Sequence, residues 1–169
     1  MESTNFNQEQ ASKRPQMLTV LCILTFVSTG FGVLGVLISA LAGKQDSSTI
    51  KASNEIFVKL ANDMRQQGSA WAAENMERLG EMAIYQNENH WLSLGLNAVA
   101  LSAGVLGALY MWQGRKMGFH LYIIYSFFSV FGIYLIVPMD AIPTFSIVSN
   151  GIFAIIFILL YARNLKWLE

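Results

Sequence analysis

The side chains best suited to chemistry are few: His90, His120, Cys22, Asp140, Asn97 and Asn150. His90 near Glu88 makes a two-ligand metal site at best, and His120 is expected on the opposite side of a membrane, so no metal centre is expected. His120 lies about one turn into an apolar stretch, beside Arg115 and Lys116, where an imidazole is an interfacial group or, less simply, a proton relay. Asp140 sits between Pro138 and Pro143, placed to cap the helix that follows or to hold a cation. Asn97 and Asn150 fall within or at the edge of apolar stretches. There an amide bonds a carbonyl, bridges two helices or lines a polar pathway.

One cysteine permits neither an intrachain disulfide nor a Cys-x-x-Cys redox pair. This excludes the four-helix, quinone-linked disulfide oxidoreductases, which need cysteine pairs. His-Glu-x-x-His, Gly-x-Ser-x-Gly and Walker motifs are all missing from the sequence. The expectation is a non-enzymatic chain with no cofactor.

The elements that must position these residues are four long uncharged runs, Met17–Ala42, Trp91–Trp112, Met117–Val137 and Ile142–Ala162. Each is near the roughly 20 residues that a helix needs to cross a bilayer. The chain is 54% hydrophobic and 13% charged, against about 25% charged for soluble domains. Its net charge is zero, so nothing points to nucleic acid. The fold class read from this is all-α: an integral membrane four-helix bundle with a short amphipathic helical hairpin outside the membrane between helices one and two.

Residues 1–14 read as a disordered cytoplasmic tail, and 15–43 as the first transmembrane helix. Segment 44–90 reads as extracytoplasmic, 91–162 as transmembrane helices two to four, and 163–169 as a cytoplasmic tail. Lys13 and Arg14, Arg115 and Lys116, and Arg163 and Lys166 all fall on one side of four crossings, so the positive-inside rule places both termini in the cytoplasm. The first apolar run is longer than the about 7–15 residues of a signal peptide's core, so it is expected to be retained.

Within 44–90, Ile56, Phe57, Leu60, Ala61 and Met64 share one helical face. Of these, Ile56, Phe57, Leu60 and Met64 form the expected docking face. Gly68 and Ser69 break the pattern. A second stripe, Ala72, Met76, Leu79 and Ala83, continues towards the next apolar run with no proline between.

Helices in lipid associate through small residues and a few polar contacts. Ser28, Gly32, Gly35 and Ser39 in helix one, and Gly104, Gly107 and Ala108 in helix two, are the expected packing positions. They are expected to bring those two helices together, or to meet a homo-oligomer or another membrane protein. Helix three is bulky and aromatic, and helix four is expected to be the most lipid-exposed. The polar-pathway residues are Asn97, Asn150 and His120, with Ser102 and the helix-three tyrosines beside them.

The first run has no carboxylate, unlike that of the small multidrug exporters, and the long outer segment lacks the cysteines and Trp motif of claudins. The opening Arg14-Pro15-Gln16-Met17-Leu18-Thr19-Val20-Leu21-Cys22-Ile23-Leu24-Thr25-Phe26 resembles the start of small four-helix bacterial inner-membrane proteins of unknown function. The resemblance implies a bacterial inner-membrane setting and carries no activity. The function expected is that of an accessory or scaffold subunit, with a transporter or channel subunit for a small neutral or apolar solute as the alternative. A polar cavity reaching the middle of the bilayer would favour the second.

Overall fold

Charge-free runs form four of the helices, and polar stretches with a one-sided apolar stripe form the other two. The computed structural model describes residues 15–168. The expected tail 1–14, with Lys13 and Arg14, lies outside the described residues, as does Glu169. Helix α1 spans Gln16–Ala42, α2 Ser47–Gln66, α3 Ala70–Glu88, α4 His90–Trp112, α5 Met117–Phe131 and α6 Thr144–Ala162. Short 3-10 turns cover Gly132–Leu135, Met139–Ala141 and Leu165–Trp167, and no strand occurs among the described residues. Four helical stretches are long and apolar enough to cross a membrane: α1, α4, α5 extended to Leu135, and α6.

Two reversals are built by the same device. At the ends of α2 and α4, Gly68 and Gly114 take φ of 82°, a left-handed conformation that costs glycine least. The Ser69 amide then reaches Met64 O at 2.9 Å and the Arg115 amide reaches Tyr110 O at 2.8 Å, satisfying carbonyls that the helix end leaves bare.

The junction of α3 and α4 departs from an unbroken run by one residue. Asn89 has φ −103° and ψ 37°, yet its amide still bonds Tyr85 O, and the Ser93 amide bonds Asn89 O. Helix α5 stops before the apolar run does. It tightens to a 3-10 turn at Gly132 and ends short of Pro138, whose ring disfavours helical backbone in the residue before it.

Two clusters mark the ends of the bundle. Leu18, Leu21, Cys22, Met111, Tyr122, Tyr161 and Leu168 pack at one end, so the start of α1, the end of α4, the start of α5 and the end of α6 lie together. Segment 163–169, expected as a tail, is not loose over its described part, because Asn164 and Leu168 are buried. At the other end Val137, Ala141 and Ile142 pack against Met82 and Tyr85 of α3. The four apolar helices therefore alternate in direction, and the polar pair α2 and α3 sits at the end away from the termini.

Helices α2 and α3 lie against each other. Arg65 Nη2 donates to both oxygens of the Glu77 carboxylate at 3.0 Å, and Phe57 and Asn54 press on Gly80. This splits the expected docking face. Phe57 and Met64 are half-buried in the described fold, whereas Ile56 is 62% exposed and Leu60 is also exposed. The apolar stripe is wider than the contact with α3, so its edge is left outside.

Candidate functional site

The small residues show where the helices approach and where they do not. A Cβ on Gly118 of α5 would stand 2.5 Å from both Gly107 O and Met111 N of α4. The tightest crossing is thus between α4 and α5, and Gly107 serves that crossing instead of the expected approach of α1 to α4, while Ala108 is buried. Gly104 sits where three helices meet, with Thr29 of α1 and Tyr125 of α5 both 2.9 Å from its would-be Cβ. Gly32 faces the Leu101 side chain, so α1 and α4 do touch here. Gly35 has nothing within 4 Å. Gly35 and Ser39 instead line a groove of about 660 Å³ beside Asn87 and His90. The amide of Asn87 brackets that groove by bonding Gln45 twice, at 2.9 and 3.1 Å.

Helix α6 is held at both ends. Near the termini, Thr25 Oγ1 and Tyr161 Oη are 2.8 Å apart, and the rings of Tyr122 and Tyr161 lie 4.6 Å centre to centre. At the far end Asn75 Oδ1 accepts the Phe145 amide at 3.3 Å, and Arg78 donates to Ile142 O at 3.3 Å. Asp140, expected as a candidate cap, is exposed in the Met139–Ala141 turn; Pro143 holds the cap position, and α3 supplies the acceptor instead. Between these two clamps α6 buries little, and Tyr161 is its one buried residue.

A cleft fills the space left between the clamps. One part, of about 430 Å³, reaches from Met82 and Gln86 of α3 to Ser28, Asn97, Tyr125, Ser129 and Asn150. A second part, of about 310 Å³, runs on to Thr25, Tyr122, Ser126 and Phe157. The two share Ser28, Tyr125, Ser129, Val130 and Asn150. Ser28 and Asn150 lie near the middle of α1 and α6, and Ser129 and Val130 lie in the last turn of α5. Both volumes are within or near the range of ordinary small-molecule sites, about 300–1,000 Å³. No Asp, Glu, Lys, Arg or His lines either part. The cleft ends at the packed cluster of Tyr122, Tyr161 and Leu18, so it is closed towards the termini.

Some polar side chains on these helices bond their own backbone. Asn97 bonds Ser93 O at 2.9 Å, Ser102 bonds Ala98 O at 2.7 Å, and Ser149 bonds Phe145 O at 2.7 Å. Such back-bonding is what a hydroxyl or amide does when its surroundings offer nothing else. Ser28, Ser129 and Asn150 differ, since their side chains make no hydrogen bond among the described residues. Ser126 is 4% exposed and its hydroxyl lies beside Tyr122. Ser28, Ser129 and Asn150 are exposed to the cleft, where water or a ligand can reach them.

Of the three expected pathway residues, the cleft brings Asn97 and Asn150 together. His120 stays apart, exposed near the other end with Nδ1 3.2 Å from Lys116 O. The serines of α5 were missed by sequence reasoning. Tyr122, Tyr125, Ser126 and Ser129 share one face at spacings of three and four, a polar stripe hidden in an aromatic helix. Among the described residues, no three His, Cys, Asp or Glu side chains gather as a metal site. Comparison with protein-family models, curated proteins and solved structures finds no match to this chain.

Proposed function

We propose that this chain is a multi-pass inner-membrane protein that admits a small uncharged solute to the cleft between α6 and the other apolar helices, as a transporter or channel subunit. Its termini are placed in the cytoplasm, with α2 and α3 outside. The observation that carries this reading is the convergence of Ser28, Ser129 and Asn150, none with a side-chain hydrogen bond among the described residues, on one uncharged cleft between α1, α5 and α6. The uncharged lining favours a neutral solute, because an ion would meet no counter-charge. Closure at the Tyr122–Tyr161 end makes this a one-sided vestibule, the form that an alternating-access step or a partner subunit would complete.

Access tests the reading. With the protein in phosphatidylcholine vesicles, Ser129→Cys should react with N-ethylmaleimide at least tenfold faster than Ile155→Cys, on the outer face of α6, because a thiol needs water to ionise. Buried Cys22 in the unsubstituted chain provides the background. Equal rates for the two cysteines would mean that the cleft is shut, and the reading would fall.

A second reading, an accessory subunit, draws on a separate observation. Ile56 and Leu60 of α2 and Trp71 of α3 are large apolar side chains left exposed on the polar pair. A partner retained through mild-detergent purification and lost on Ile56→Asp would support it.

A further inference from the structure

Resting on the cleft reading above, we infer that the occupant enters sideways from the hydrocarbon, and that it is a single-chain neutral amphiphile with a hydroxyl-bearing head. Helices α1 and α6 meet at Thr25 and Tyr161, and beyond that contact the cleft lies between them. Leu24 of α1 and Phe153 of α6 both line it and are also 49% and 61% exposed, so they form the rim of an opening on the flank of the bundle. A solute arriving from water would have no use for such a rim. An amphiphile would, since its chain can pass between Leu24 and Phe153 while its head stays inside.

The interior fits that head and excludes others. Ser129 and Asn150 offer free donors and acceptors at the neck, and the Ser126 hydroxyl lines the cleft beyond them, beside Tyr122. These groups match the hydroxyls of a glycerol head. A phosphate would find no cation there, and the packed cluster at the closed end leaves no exit to the other side. The small volume, about 310 Å³, suits one head and the start of one chain.

The test uses the full chain in phosphatidylcholine vesicles with a monoacylglycerol carrying a diazirine near its head, irradiated and mapped by mass spectrometry. Adducts are expected at Leu24, Phe153 and Phe157, and unlabelled monoacylglycerol should compete them away. The Ser129→Ala, Asn150→Leu double variant, altered only at exposed positions, should lower that yield roughly tenfold, as loss of about one good hydrogen bond would. Adducts at Ile155, on the outer face, should not change. A probe with the same chain and a phosphocholine head should label the rim no more than Ile155. Equal labelling of rim and outer face, no effect of the double variant, or equal labelling by the phosphocholine probe would each overturn the inference. If N-ethylmaleimide reaches Ser129→Cys while the photoprobe ignores the rim, the neutral-solute cleft stands and lateral entry fails. If neither reaches it, both fail.

Discussion

The hydroxyls of Thr25 and Tyr161 lie 2.8 Å apart across 136 residues of chain, joining the first and last apolar helices at one buried point. The bond sits inside the cluster in which Leu18, Leu21 and Cys22 of α1 pack around Tyr161. It also forms the floor of the cleft, with the Tyr122 ring tilted against that of Tyr161.

Two substitutions separate the hydrogen bond from the ring. Tyr161→Phe keeps the packing and should cost about 0.5–1.5 kcal/mol, the usual worth of such a bond between helices in lipid. Tyr161→Ala also empties a fully buried volume and should cost about 3–5 kcal/mol. Unfolding in graded detergent mixtures measures both. No loss for Tyr161→Phe would leave the contact as packing alone.

The glycines make a sharper contrast. Gly118→Ala puts a methyl group 2.5 Å from backbone atoms of α4, which cannot rotate aside, so α4 and α5 must separate. A loss of roughly 3 kcal/mol or more is expected, at or above the upper end of overpacking costs. Gly35→Ala, in open space inside α1, should be neutral or stabilise slightly, since alanine favours helix by about 1 kcal/mol. Equal losses at the two sites would mean that α1 is packed along its whole length.

That contrast shows where reading from residues stops. The four apolar helices were legible because uncharged runs of this length have one economical solution, and the break at Gly68 was legible because glycine ends helices. Which helix meets which small residue was not legible. A four-residue spacing names a face and says nothing of its neighbour, so Gly107 turned out to serve α5, and Gly35 to face a groove. Asp140 had the right chemistry for a cap, but Pro143 holds the cap position and Asn75, 70 residues away from Phe145, supplies the acceptor. Long-range pairing of that kind leaves no local trace. Ser126 and Ser129 were visible as a stripe, yet the aromatic residues around them drew the reading towards bulk.

The Asn75 clamp predicts a local effect. The first amides of any helix lack partners within it, and Asn75 supplies one for Phe145. Asn75→Ala should raise hydrogen exchange at Phe145 and its neighbours roughly fivefold to tenfold, as loss of about 1 kcal/mol implies. Exchange in the Tyr161 region should not change. If the whole of α6 exchanged faster, the two ends would be one cooperative unit, and α3 would control the cleft from outside.

Asp46 predicts a pH dependence confined to the start of α2. Its carboxylate accepts the Thr49 amide at 2.7 Å and lies 3.1 Å from the Ser48 hydroxyl, capping the helix. Those hydrogen bonds, Thr49 first, hold the acid below its ordinary value of 3.8. A carboxyl whose folded value is depressed stabilises the fold above its unfolded value, and that contribution is lost as pH falls through the folded one. The Thr49 amide resonance should therefore titrate with a midpoint below 3.8, and the first turn of α2 should fray only beneath it. Asp46→Asn keeps an oxygen acceptor without the charge and should retain the cap while abolishing the titration. A Thr49 midpoint at or above the ordinary value would mean that the carboxylate is solvated and α2 starts without it.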